Sequence, residues 1–139
     1  MKTDRLKALM LANAKEVERL RTDVRAAAAA LREQDPESKR ILAEACQVFD
    51  ARFDALTFPG GYSDAFERID SGDPAAIEAA LCFLELRPRF FRSGYIYKHI
   101  LRKMKLIQLP SAQASRLADV IAAIQAYRSA NAGGPSADG

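Results

Sequence analysis

Apolar side chains recur along this chain mainly at the three- and four-residue intervals of an α-helix rather than at the alternation of a half-buried strand. The first stretch, residues 3–33, puts Thr3, Leu6, Met10, Asn13, Val17, Leu20, Val24, Ala27 and Leu31 on one side of a single long helix. This heptad stripe admits two uses. It can pack against the rest of its own domain, or it can form a homodimeric coiled coil whose self-association seam is Met10, Val17, Leu20 and Val24, flanked by Glu16 and Arg21. Asn13 and Ala27 weaken such a seam, and the alanine run at 26–30 suits close packing inside a bundle, which favours the first use.

Punctuation divides the remainder. Asp35-Pro36 ends the first helix and opens a second, the Asp acting as N-cap and the Pro occupying the first turn, where its missing N–H costs nothing. Ile41, Leu42, Ala45, Cys46, Phe49, Phe53 and Leu56 share one face of that helix, and Pro59-Gly60-Gly61 turns the chain. A short helix follows to about Asp70, closed by Gly72. Asp73-Pro74 repeats the start signal for a helix over 75–86 that is apolar nearly all round except at Glu78 and Glu85, as befits the middle of a fold.

Pro88 interrupts again, and Ser93 caps a helix over 94–107 with Tyr97, Ile100, Leu101, Met104 and Ile107 facing inward. Tyr95-Ile96-Tyr97 alone would also fit a strand, but the helical period over the whole segment prevails. Pro110-Ser111 starts a last helix whose inward face is Leu117, Val120, Ile121, Ile124 and Tyr127. The expected fold is therefore all-α: one domain over residues 1–132, an irregular five- or six-helix bundle or a short α-solenoid-like stack, followed by a disordered tail at 133–139. The stack alternative rests on Phe-x-x-Gly-Tyr, which occurs at Phe58–Tyr62 and again at Phe91–Tyr95.

Composition narrows the class of protein. A chain of 139 residues, 49% hydrophobic and 28% charged, is that of an ordinary globular domain. No apolar run approaches the ~20 residues of a membrane-spanning helix. The first residues lack the uninterrupted apolar core of a secretory signal, and Cys46 and Cys82, in apolar helical stretches, suit a reducing cytoplasm, so a cytoplasmic location is expected.

Charge is the most informative feature. Between Leu86 and Ala118 there is no acidic residue, whereas Arg87, Arg89, Arg92, Lys98, Arg102, Lys103, Lys105 and Arg116 are all basic. Tyr95, Lys98, Arg102 and Lys105 fall opposite the inward stripe of their helix, so they should form an outward basic stripe ending in a tyrosine. The expected binding surface is Arg87, Arg89, Arg92, Tyr95, Lys98, Arg102, Lys103 and Lys105. Its partner is expected to be a protein with an acidic surface, in a non-catalytic interaction or adaptor role. The alternative is a nucleic acid, whose phosphates would meet the cations while Tyr95 stacks on a base. A third reading keeps the stripe as a solvated face paired with acids of the same fold.

Nothing in the sequence assembles into a catalytic or cofactor-binding motif. His99 is the single histidine and lacks a nucleophile elbow or a cysteine signature to serve as base. Cys46, Cys82 and His99 are one ligand short of a protein-only zinc tetrahedron and lack metal-binding spacing, so no metal and no cofactor is expected. Glu78 and Glu85 lie near one helix face, as an acid–base pair would, but without histidine ligands nearby. The arginines around Phe90 and Phe91 mark a helix-to-helix corner with the rings buried and the cations in water.

Overall fold

The computed structural model describes residues 2–132, so the expected tail lies outside the described residues. Six helices follow in order: α1 (Lys2–Ala29), α2 (Pro36–Thr57), α3 (Ala65–Asp70), α4 (Pro74–Leu86), α5 (Ser93–Leu106) and α6 (Ser111–Ala132). No strand occurs among the described residues, and Tyr95-Ile96-Tyr97 is helical within α5.

Both Asp-Pro signals work as local chemistry dictates. Asp35 accepts the Glu37 N–H at 3.1 Å and Asp73 accepts the Ala75 N–H at 3.0 Å, each with proline in the first turn. α1 stops at Ala29, four residues short of the expected Glu33. The cause is Ser38: its hydroxyl accepts the Arg32 N–H at 3.0 Å and directs its proton between the Asp35 carbonyl at 2.9 Å and the Arg32 carbonyl at 3.2 Å, while the Asp35 N–H also reaches the Arg32 carbonyl at 3.0 Å. Those bonds draw the backbone into a turn before another helical turn can form, and Ser38 is buried in doing so.

α4 is the central rod. Ala76, Ile77 and the run Ala79–Leu84 are buried, because α1, α3, α5 and α6 all pack on it. An element touching four others belongs to an irregular bundle; in a solenoid each unit meets only its sequence neighbours. The two Phe-x-x-Gly-Tyr segments also adopt different structures. Gly60 and Gly61 take positive φ in a turn whose Phe58 is fully buried, whereas Gly94 lies inside α5.

α2 lies alongside α1, with Arg52 paired to Glu16. On the α1 stripe, Met10, Val17 and Leu20 are buried within the chain, Val24 is half-buried and Leu31 is exposed. The corner between α4 and α5 is as its residues require: Phe90 is buried, and Phe91 packs edge-on against Phe49 and Phe53 of α2 with ring centroids 5.8 and 6.0 Å away. Arg87 and Arg92, in the left-handed backbone region, make the bends at its two ends. No described helix is long and apolar enough to cross a membrane.

Candidate cationic groove

The acid-free segment is not acid-free in space. Arg116 of α6 reaches back to α4, its Nη1 bonding Glu78 at 2.6 Å and its Nε and Nη2 forming a fork on Glu85 at 3.0 and 2.7 Å. Thr3 and Lys7 of α1 join the same carboxylates, Thr3 donating to Glu78 at 3.0 Å and Lys7 lying 3.2 Å from Glu85. Burial disfavours the ionised form of Glu78, yet hydrogen bonds from Arg116, Thr3 and Cys82 outweigh it and leave its carboxyl below the usual range. Glu85 is lowered too, chiefly by the Arg116 hydrogen bond. The pair that sequence spacing put on one face of α4 is thus a clamp between α1, α4 and α6.

Lys103 is neutralised as well, 2.7 Å from Asp70 of α3. The other six residues of the expected basic surface and its tyrosine stay in solvent: Arg87, Arg89, Arg92, Lys98, Arg102 and Lys105 are exposed, and none forms an ion pair with a described residue within 4 Å. Arg87 instead lies over the Tyr97 ring at 4.6 Å, and Arg92 over Phe91 at 5.2 Å. Tyr95 is 70% exposed and meets His99 edge-on at 5.4 Å.

Four of these groups border a groove of about 990 Å³ between α5 and α6, closed at one side by the end of α4. Lys98 and Arg102 stand on the α5 wall one turn apart, Arg87 lies at the α4 end, and Tyr95 sits beside Gly94. Between them the lining includes the aliphatic side chains of Leu84, Leu101, Val120, Ala123 and Ile124, together with Tyr97, His99 and the ion-paired Glu85 and Arg116. Sequence reasoning missed the α6 wall, which adds Arg128, Tyr127 and Asp119. Tyr127, expected in the core, is 67% exposed, because from Gln125 onward every residue of α6 with a described side chain is in solvent. A signal for this was present: the regular apolar spacing thins after Ile124, leaving Tyr127 isolated among Gln125, Arg128 and Ser129.

The groove therefore presents unpaired cations beside apolar surface. Cys82 is buried on α4, where burial and the neighbouring Glu78 push its thiol up to about 11, so it is a neutral packing group near pH 7. Both cysteines are free thiols. Among the described residues, no three His, Cys, Asp or Glu side chains are placed to hold a metal ion. Compared with known proteins, the chain matches no family model, no curated protein and no solved structure.

Proposed function

We propose that this chain is a non-catalytic cytoplasmic interaction domain that binds an acidic protein surface through the cations around the α5–α6 groove. The observation carrying this reading is that Arg87, Lys98, Arg102 and Arg128 border a groove with aliphatic lining and none of them forms an ion pair within 4 Å with a described carboxylate. Charge complementarity of this kind raises association rates and selects against cationic partners. The aliphatic floor favours a protein, whose side chains can fill it, over a phosphate backbone, which cannot.

A nucleic acid is the second reading, favoured by Tyr95 and Tyr127, two exposed rings beside the same cations. Single-stranded nucleic acids are held by such pairings of aromatic stacking and positive charge. A pull-down with nuclease separates the readings. Acidic partners retained by the native chain after nuclease, and lost by Lys98→Glu/Arg102→Glu, are the expected result. A salt-dependent mobility shift of bare RNA or DNA, with no protein partner surviving nuclease, overturns it in favour of the second reading.

A further inference from the structure

We propose that the occupant of the α5–α6 groove is an amphipathic acidic helix of about three turns, presented by the partner protein. This rests on the protein-binding reading above and adds the form of the ligand. Three features of the groove carry it.

The first is the backbone of the walls. Both are helices, α5 and α6, whose main-chain groups are bonded within their own elements away from the ends. An extended peptide laid between them would lose hydration of its N–H and C=O groups without gaining a ladder partner. A helix satisfies those groups internally and enters the groove without that loss.

The second feature is the layout of charge and apolar surface. Leu84, Leu101, Val120 and Ile124 form a floor suited to an apolar stripe recurring at three- and four-residue intervals. Cations stand on both sides of it, Lys98 and Arg102 on α5 and Arg128 on α6. Lys98 and Arg102 are four residues apart, hence neighbours at about 6 Å along the helix, the same spacing as carboxylates at i and i+4 on a docked helix. The α5 wall from Gly94 to Arg102, continued by Lys105 in the adjoining cleft against Gln125 and Arg128, is about 16 Å long at 1.5 Å per residue, which sets the length of three turns.

The third feature is a local exception. Glu85 and Asp119 also line the groove, but Glu85 is held by Arg116 and Lys7, leaving Asp119 as the lining carboxylate without an ion pair among the described residues. The bound helix therefore carries no acid opposite Asp119, and removing that carboxylate strengthens binding.

The probe is a set of fluorescent peptides of about twelve residues, side-chain-stapled into a helix, with leucines on one stripe and glutamates on its flanks. Comparison peptides have the same composition with a central proline and no staple, or lysines in place of the glutamates. Anisotropy with the full chain should show the stapled acidic helix binding at least about tenfold more tightly than either. Ala123→Glu, at an exposed position on the α6 wall, and Lys98→Glu/Arg102→Glu should each weaken it about tenfold or more, with unchanged helical circular dichroism. Asp119→Asn should tighten it about twofold.

Equal binding of the proline-containing acidic peptide overturns the helical ligand while leaving an acidic protein partner standing. Binding that depends on Lys98 and Arg102 but ignores Ala123→Glu overturns the groove as its seat. If no acidic peptide binds and an oligonucleotide does, both the inference and the protein-binding reading fail together. If neither binds, the inference alone falls.

Discussion

Arg116 shows how much one side chain can decide. It bonds two partly buried carboxylates of α4, which in turn hold Thr3 and Lys7 of α1. Truncating it leaves Glu78 and Glu85 partly buried with only weaker partners, Thr3 and Lys7 among them, so Arg116→Ala should cost about 1–3 kcal/mol in urea unfolding at pH 7. Arg40→Ala removes two ion pairs as well, with Glu37 and Glu44, but on a well-exposed face of α2 where solvent screens them, and should leave the urea midpoint nearly unchanged. The folded-state values of Glu78 and Glu85 are lowered, so their contribution is present above the unfolded carboxyl pKa of about 4.3 and is lost as the pH falls through the lower folded values. Thermal melts between pH 6 and pH 3 should therefore fall more for the native chain than for Arg116→Ala; equal falls would remove the clamp as the cause.

At the scale of elements, the starts of helices are written more plainly than their ends. Asp35 and Asp73 cap α2 and α4 with side-chain bonds that need only local geometry, and both were evident as Asp-Pro pairs. Asp73→Ala and Asp35→Ala should each lower stability by about 1 kcal/mol, read by the urea midpoint at unchanged slope. A neutral Asp73→Ala would mean that Pro74 alone sets the start of α4. The end of α1 was not evident, because it depends on Ser38, six residues beyond Arg32 and on the next helix. Continued alanine favours helix through residue 30; Ser38 wins because its hydroxyl accepts the Arg32 N–H and donates into the turn's Asp35 and Arg32 carbonyls.

For the whole molecule, the question is what the α1 stripe is for. Val17 is 1% exposed and lies in the same core as Met104 and Phe83. Placing a carboxylate there by Val17→Asp should cost more than about 3 kcal/mol and unfold the chain, seen as loss of helical circular dichroism. Sedimentation showing a folded Val17→Asp monomer beside a native dimer would instead assign Met10, Val17, Leu20 and Val24 to an intermolecular seam. The basic segment divides in the same global way. Asp70, Glu78 and Glu85 neutralise Lys103 and Arg116, while Lys98 and Arg102 face an open groove.

Helical period, two Asp-Pro starts and the proline and glycine breaks determined the six elements, since capping and periodicity act over a few residues. They also determined the outward aim of Tyr95, Lys98, Arg102 and Lys105, because a helix with a buried face has only one other side to present. Which cations remain unpaired, and that α6 supplies the second wall of a groove, was decided by tertiary structure alone. The ion pairs join residues 31 or more positions apart and the groove forms between two separate helices, and no local pattern encodes those distances.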